Sequence, residues 1–259
     1  MDSLRSKKGF LCDMDGVIYH GNRLLPGVAE FVGWMNAEGK NFLFLTNSSE
    51  RSPRELRQKM ARLGLDIGEE HFYTSALATA DFVASQKPGA SAYVIGEAGL
   101  LNALYEAGIT MNDVNPDYVI MGETRNYHYE SIVRAVSLVL AGAKLIGTNP
   151  DITGPGENGL LPACGALISP IEIATGRKAY FVGKPNPLMM RTGIRRLGVA
   201  RDEAAIIGDR MDTDIISGIE SELDTVLVLS GVTTHAMLQN FPYTPRYILE
   251  GVGAIVTGA

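Results

Sequence analysis

The sequence predicts an α/β fold built on a parallel β-sheet, and three observations favour it. Short apolar runs alternate with segments of helical apolar spacing almost throughout the 259 residues. Polar and acidic residues directly follow several of these runs, which is typical of ligand sites beyond the carboxyl ends of parallel strands. The chain is 46% hydrophobic and 20% charged, so it can fold as a globular protein with one large core or two smaller ones.

The first part of the chain contains two strand–helix pairs. The run "GFLCD" (9–13) predicts a strand, and the segment 27–39 predicts a helix with a glycine at its end. A second strand is predicted over "NFLFLTN" (41–47). The helix predicted over 52–64 has proline in its first turn, where the missing N–H removes no helical hydrogen bond.

The rest of the chain continues this alternation. Strands are predicted over 92–96, 117–122, 144–150, 179–185, 204–209 and 224–231, and helices over 99–108, 129–143, 187–198 and 212–221. The middle of the chain has enough elements for a separate α/β unit, and "QKPGAS" and "ATGRKAY" near its two ends are candidate hinges. We therefore expect an outer domain of residues 1–79 and 181–259, interrupted by an inserted domain of residues 80–180.

The composition excludes several classes of protein. The net charge is −6 and Lys and Arg form no block, so we expect no binding to a nucleic-acid polymer or a membrane. The only cysteines, Cys12 and Cys164, are expected to be buried free thiols. No apolar run approaches the ~20 residues of a membrane span, and the N-terminal segment lacks the apolar core of a signal peptide. We expect a cytoplasmic protein, with a homo-oligomer as one option for its assembly.

Four of the predicted strands end in residues that can carry chemistry. Taken singly, each group could be a turn, a helix N-cap or a solvated loop charge. Because parallel strands present their carboxyl ends at one edge of the sheet, the groups are expected to converge. In chain order they are Asp13 and Asp15, Thr46 and Asn47, Lys184, and Asp209 with Asp212 and Asp214 in the turn that follows.

The expected convergence calls for a bound cation. Four aspartates, Asp13, Asp15, Asp209 and Asp214, would face Lys184 alone. The resulting excess of about three negative charges is costly unless a cation is bound. Carboxylate oxygens without His or Cys favour Mg²⁺ over zinc. The sequence therefore predicts a magnesium site that can receive a phosphate group.

These residue types can hydrolyse a phosphomonoester. One carboxylate can attack phosphorus and form an aspartyl-phosphate, which divides hydrolysis into two easier steps. A second carboxyl two residues later can protonate the leaving oxygen and then take a proton from water. Thr46, Asn47 and Lys184 supply a hydroxyl, an amide and an ammonium that can hold the phosphoryl oxygens in the transition state.

The motifs resemble those of the haloacid dehalogenase (HAD) superfamily of phosphotransferases. The four motifs are "DMDGV", "LTN", the lysine of "GKP" and "GDRMDTD", in the order and with the long spacing of that superfamily. The chain is similar to its NagD-like branch of nucleotide and sugar phosphatases over almost the full length, including "FYTSALATADF", "PACGAL" and "VGKPNP". The resemblance implies a Rossmann-like doubly wound parallel sheet as the catalytic core. It also implies a large α/β cap domain inserted between the second and third motifs.

The resemblance implies a role for each residue of the first three motifs. Asp13 would be the nucleophile and a direct Mg²⁺ ligand. Asp15 would be the general acid/base, and its backbone carbonyl would be a second ligand. Thr46, Asn47 and Lys184 would bind the phosphoryl group.

The fourth motif and the cap complete this expected site. Asp209 would be the third protein contact of Mg²⁺, and Asp214 would orient a metal-bound water or Lys184. The cap would close over the site and contact the leaving group through the loops around "GTNPDITGPGENG" and "PACGAL". Asn149 and Asp151 of the first loop are candidate specificity residues, although a segment so rich in Gly, Pro and Asn could equally be a simple turn.

Two other functions would use the same residues. A non-catalytic regulator could bind phosphorylated ligands or accept a phosphoryl group at Asp13, and a phosphotransferase could pass that group to an acceptor other than water. Asp15 favours hydrolysis, because a stable phospho-aspartate is better served without an acid/base group two residues away. Asp212 receives no role and is expected to be a solvated loop charge. We therefore expect a Mg²⁺-dependent hydrolase of a small metabolite such as a nucleoside monophosphate or a sugar phosphate.

Overall fold

The computed structural model describes residues 1–156 and 159–257. Its strands are β1 (Gly9–Asp13), β2 (Tyr19–His20), β3 (Arg23–Leu24), β4 (Asn41–Thr46), β5 (Phe72–Thr74), β6 (Ser91–Ile95), β7 (Thr110–Met111), β8 (Tyr118–Met121), β9 (Lys144–Gly147), β10 (Thr153–Gly156), β11 (Gly159–Pro162), β12 (Tyr180–Phe181), β13 (Ala204–Gly208), β14 (Asp224–Val228) and β15 (Tyr247–Leu249). Its α-helices are α1 (Asp2–Arg5), α2 (Val28–Ala37), α3 (Pro53–Arg62), α4 (Ser75–Gln86), α5 (Ala98–Glu106), α6 (Tyr129–Leu140), α7 (Cys164–Thr175), α8 (Pro187–Leu197), α9 (Ile216–Glu220) and α10 (Gly253–Thr257).

The packing of the chain divides it into two compact units. The first unit comprises Met1–Thr46, Arg57–Tyr73 and Lys184–Ala259, and the second comprises Asn47–Leu56 and Thr74–Gly183. Each unit contains its own parallel sheet with helices, as an α/β fold requires. The domain boundaries expected from the sequence, after residues 79 and 180, stay a prediction.

The first unit is built on a six-stranded sheet in the order β15-β14-β13-β1-β4-β5. Strand β1 pairs in parallel with β13 on one side and with β4 on the other. The register aligns Cys12 with both Ile207 and Phe44, so the three neighbouring strands end at the same level of the sheet. The residues that follow these three strands therefore start from a common edge, as the sequence predicts. The fourth strand of that prediction, 179–185, is instead the short β12 (Tyr180–Phe181), which belongs to the other sheet, so Lys184 does not follow a strand of this one.

Strand β1 is apolar because it lies in the middle of this sheet. All five of its residues are buried, which is typical of a central parallel strand covered on both faces. Phe10 packs edge-on against Phe31 and Trp34 of α2, with ring centroids 6.1 and 5.7 Å apart. Such aromatic contacts favour one packing of α2 on the strand that carries Asp13.

The second unit is built on a five-stranded sheet in the order β12-β9-β8-β6-β7. Helices α6 and α7 pack against each other, and their apolar residues share a core with the sheet, including Val119, Met121, Ala135 and Ile168. Strands β10 and β11 form an antiparallel hairpin within a segment that the sequence suggests is a turn or loop. Of that predicted specificity loop, residues 157 and 158 lie outside the described residues.

Both cysteines are buried free thiols, as expected. Burial raises the pKa of the Cys12 thiol, and it raises the pKa of the Cys164 thiol to about 12. Neither side chain is therefore a thiolate near neutral pH, so neither is a candidate nucleophile. Among the helices of the described residues, none combines the length and the apolar character needed to cross a membrane.

Candidate active site

The candidate active site of the first unit is built around Asp13, the last residue of β1. Its side chain is buried, and its neighbours Leu11 and Cys12 are fully buried. In the adjacent strand β4, Leu45 aligns with Asp13, so Thr46 is one residue further toward the same edge of the sheet. The Thr46 side chain is buried there as well.

Lys184 is the cation of this cluster. Its Nζ donates to Asp13 Oδ1 at 2.5 Å and to Asp214 Oδ1 at 2.7 Å. The lysine side chain is only 2% exposed and that of Asp214 is fully buried. Two residues later, Asn186 accepts a hydrogen bond from Leu188 N and caps α8, which fixes the chain just after the lysine.

Asp209 follows β13 directly and faces the same cluster. Its Oδ2 accepts a hydrogen bond from Val232 N at 2.7 Å. Its Oδ1 is buried, and no hydrogen-bond donor in the described residues reaches it. Gly16 and Gly231 approach this carboxylate so closely that a Cβ on either would overlap it. A buried carboxylate oxygen without a donor calls for a ligand of positive charge.

The three carboxylates fit a divalent metal ion. Oxygen atoms of Asp13, Asp209 and Asp214 all lie within 4.8 Å of one another. Lys184 bonds to two of these three carboxylates and offsets part of their charge. Hard oxygen donors together with the orphaned Asp209 Oδ1 suit an ion such as Mg²⁺.

Burial and mutual repulsion perturb the pKa values of the cluster. Burial raises the pKa of Asp13 well above its usual range, against the lowering effect of Lys184, and Asp214 raises it further. Burial and the charge of Asp214 raise the pKa of Asp209 to about 7. Burial alone would lower the pKa of Lys184, but Asp13 and Asp214 outweigh it and keep the ammonium charged. Burial thus favours the protonated forms of Asp13 and Asp209, and a bound metal ion would favour their ionised forms.

Asp15 is held by a neighbour that the sequence analysis did not identify. The Tyr19 hydroxyl donates to Asp15 Oδ2 at 3.2 Å. Lys59 of α3 is buried, and its Nζ lies 3.3 Å from the centroid of the Tyr19 ring. No motif marks Tyr19 or Lys59, because the contact joins residues 40 positions apart. The carboxyl of Asp15 is thus oriented, although it is more exposed than that of Asp13.

The remaining predicted residues make hydrogen bonds of their own. Asn47 belongs to the second unit, where its Nδ2 donates to Asp151 Oδ2 at 2.9 Å. Asn149 of the same unit is fully buried, and its amide donates to the Asn47 carbonyl at 2.7 Å. Asp212 accepts two hydrogen bonds from the Arg210 guanidinium, at 3.0 and 2.9 Å, and is largely exposed.

Comparison with known proteins identifies the family. A sequence profile of haloacid dehalogenase-like hydrolases matches residues 10–110, and a second HAD-like hydrolase profile matches residues 181–255. The chain is 44% identical to dihydroxyacetone phosphatase of Corynebacterium glutamicum, over 94% of this chain and 88% of that protein. It is 40% identical to the acid sugar phosphatase of Staphylococcus aureus, over 98% of each chain.

A solved structure supports the same assignment. The chain is 42% identical to the ribonucleotide monophosphatase NagD of Escherichia coli, over 96% of this chain and 98% of that protein. The structure of NagD superimposes with a TM-score of 0.90 over the same shares of the two chains. The protein therefore belongs to the haloacid dehalogenase-like hydrolases, as a phosphatase of the NagD-like branch.

Proposed function

We propose that this enzyme is a Mg²⁺-dependent phosphomonoester hydrolase that forms an aspartyl-phosphate on Asp13. The observation that carries the proposal is the buried cluster in which Lys184 bonds to Asp13 and Asp214 while Asp209 keeps one oxygen without a donor. A cluster of this charge and burial suits both a cation and a phosphate group. Inert structural pairing does not account for the orphaned oxygen.

The first step transfers the phosphoryl group to the protein. A carboxylate oxygen of Asp13 forms a bond to phosphorus while the bond from phosphorus to the ester oxygen breaks. Asp15 protonates that leaving oxygen, so the alcohol departs in neutral form. The Tyr19 hydroxyl bond supports this role, because it orients the Asp15 carboxyl from the side.

The second step hydrolyses the aspartyl-phosphate and regenerates the Asp13 carboxylate. Asp15, now ionised, takes a proton from a water molecule, whose oxygen forms a bond to the phosphorus of the aspartyl-phosphate. The bond between phosphorus and the Asp13 oxygen breaks, inorganic phosphate leaves, and Asp13 is regenerated. Asp15 finishes the cycle protonated, ready for the next leaving group.

Three side chains are assigned to the phosphoryl oxygens. Lys184 supplies a fixed positive charge, and its bond to the buried Asp214 supports a role of Asp214 in holding it. Thr46 supplies a hydroxyl from the end of β4. Asn47, one peptide bond later, supplies an amide. Preorganised donors of this kind stabilise charge that develops on the phosphoryl group.

Asp13, Asp209 and the backbone carbonyl of Asp15 are the proposed ligands of Mg²⁺. When bound, the ion would offset the negative charge of the carboxylates and polarise a phosphoryl oxygen. The raised pKa values of Asp13 and Asp209 support this assignment, because a cation would favour the ionised forms that burial disfavours.

The proposed substrate is a small phosphorylated metabolite. The similar proteins are named for ribonucleotide monophosphates, acid sugar phosphates and dihydroxyacetone phosphate, all of them phosphomonoesters. We propose that this chain takes a substrate of the same size, with a nucleoside monophosphate or a sugar phosphate as the first to test. The cytoplasm stays the expected location.

Release of inorganic phosphate tests the proposal. A panel of nucleoside monophosphates, sugar phosphates and triose phosphates is assayed with Mg²⁺, with a chelator, and with Asp13→Asn. We expect Asp13→Asn to lower turnover by at least about 10³-fold, as removal of a nucleophile does. Asp212→Asn is the matched control, because that aspartate is exposed and pairs with Arg210. Turnover that survives in both the chelator and Asp13→Asn would contradict the proposal.

A further inference from the structure

The segment that follows β4 is held by a dense set of hydrogen bonds within the second unit. The Asn47 carbonyl accepts from Asn149 Nδ2 at 2.7 Å and from Ser75 Oγ at 2.5 Å. The Asn47 Nδ2 donates to Asp151 Oδ2 at 2.9 Å. Because an amide nitrogen carries two hydrogens, the bond to Asp151 also sets the direction of the second N–H of Asn47.

Glu123 is the acceptor on which this arrangement depends. Its Oε1 accepts from Asn149 Nδ2 at 2.5 Å, the same amide that reaches the Asn47 carbonyl. Its Oε2 accepts from Ser49 N at 3.0 Å and from Ser49 Oγ. In return, Glu123 N donates to Ser49 Oγ at 3.2 Å. One carboxylate thus fixes the chain two residues after Asn47 as well as the amide that fixes Asn47 itself.

The packing around these bonds leaves little room for another arrangement. The Ser49 and Asn149 side chains are fully buried. A Cβ on Gly122 would lie 2.5 Å from Ser49 Oγ, and a Cβ on Gly183 would lie 2.7 Å from Asn47 Oδ1. Two glycines therefore allow the close approach that the network needs.

We propose that Glu123 is a positioning residue for Asn47, acting through Asn149 and Ser49 to fix the amide that binds the phosphoryl group. The inference rests on the proposed function, in which Asn47 binds that group. It assigns Asn149 a role different from the one expected from the sequence. A side chain that is fully buried and already bonded to Asn47 and Glu123 acts on the substrate through Asn47.

The substitution Glu123→Gln tests the inference, because it replaces one carboxylate oxygen by an NH₂ group and leaves the rest of the side chain unchanged. Both of its oxygens receive donors, so Glu123→Gln must place an NH₂ group against Asn149 Nδ2 or against the N–H and hydroxyl of Ser49. Glu97 offers the matched control in the same unit. Its Oε1 accepts from Thr124 Oγ1 at 2.9 Å and from Arg125 N at 3.0 Å, and a glutamine carbonyl can replace it in both bonds.

The experiment measures phosphate release and inhibition by inorganic phosphate for Glu123→Gln and Glu97→Gln. We expect Glu123→Gln to raise the inhibition constant of phosphate about tenfold and KM about tenfold. A change of about tenfold is the usual scale for one misplaced hydrogen-bonding group. We expect Glu97→Gln to match the wild type. Ser49→Ala, which keeps the backbone bond to Glu123, should give a smaller effect in the same direction and serves if Glu123→Gln does not fold.

A double-mutant cycle with Asn47→Ala separates positioning from general loss of structure. If Glu123 acts through Asn47, the Glu123→Gln change should have little further effect on phosphate inhibition once Asn47 is alanine. A full and additive effect in that background would overturn the inference. The inference would also be overturned if phosphate inhibited folded Glu123→Gln as strongly as the wild type while Asn47→Ala alone weakened that inhibition. If Glu123→Gln does not fold, the same result for Ser49→Ala would overturn it. Absence of any phosphate release by the wild type would instead overturn the proposed function, and the inference with it.

Discussion

Replacement of Lys184 by methionine removes the ammonium that bonds to two carboxylates of the cluster, those of Asp13 and Asp214. The side chain is 2% exposed and bonds to Asp13 at 2.5 Å and to Asp214 at 2.7 Å. Methionine keeps most of the side-chain volume but leaves the buried aspartates to repel one another. The variant therefore separates the electrostatic role of the lysine from its packing.

The expected loss follows from the burial of the ion pairs. Removal of one partner of a buried ion pair costs about 3–5 kcal/mol of unfolding free energy. Asp209 has a pKa of about 7 and burial raises the pKa of Asp13, so these carboxyls can take up protons instead of staying charged. We therefore expect Lys184→Met to lose about 3 kcal/mol of unfolding free energy near neutral pH in the absence of metal, the low end of that range. The loss should be smaller in mild acid or in Mg²⁺.

The assay is urea denaturation of the chelator-treated protein, followed by circular dichroism. Lys8→Met is the matched control, since Lys8 is exposed and its pair with Glu203 lies at the surface. We expect it to change stability little. A Lys184→Met protein as stable as the wild type without metal, or one that Mg²⁺ fails to stabilise, would refute the account of the cluster.

Three further predictions concern the proposed metal ligand Asp209, the proposed acid/base group Asp15, and Gly231, which lies against the Asp209 carboxylate. Asp209 has a folded pKa of about 7 and an unfolded value of ~4, so its contribution to metal-free stability should decline from about pH 4 to about pH 7. The difference in unfolding free energy between the wild type and Asp209→Asn, measured by denaturation across this pH range, should show the decline. Saturating Mg²⁺ should abolish the decline. A contribution of Asp209 that rises with pH would contradict the prediction. Asp15→Asn should slow turnover by about 10²–10⁴-fold and let aspartyl-phosphate accumulate, as checked by mass spectrometry after acid quench; unchanged turnover would count against its role. Gly231→Ala should raise the Mg²⁺ concentration for half-activation by about tenfold, because its Cβ would overlap Asp209, whereas Gly251→Ala has open space and should not. Equal responses of the two variants in the Mg²⁺ titration would contradict this role of Gly231.

The sequence predicts best those site residues that end a strand of the first unit's sheet or directly follow one. Asp13, Thr46 and Asp209 each end or directly follow a parallel strand, and the sheet places β13, β1 and β4 side by side. Apolar runs reveal such strands without knowledge of the tertiary fold. The polar residue after each run is then expected at the shared edge.

Contacts between distant segments could not be predicted in the same way. The Tyr19 bond to Asp15 and the Glu123 bonds to Ser49 and Asn149 depend on side-chain geometry that no local pattern encodes. Strands β10 and β11 were missed because Gly and Pro in "TGPGENGLLP" indicate a turn more strongly than they indicate strands. Met211–Ile215 forms a wide helical turn, with Ile215 N donating to Arg210 O, where the sequence predicts an ordinary helix.

Mass spectrometry of the enzyme quenched in acid during turnover tests whether an aspartyl-phosphate forms on Asp13. We expect the peptide containing Asp13 to gain the mass of one phosphoryl group, with Asp13 as the modified residue. We expect no such gain in Asp13→Asn, whose turnover should be lost as well. Phosphate release without modification of Asp13, together with full turnover of Asp13→Asn, would contradict the claim that Asp13 is the nucleophile.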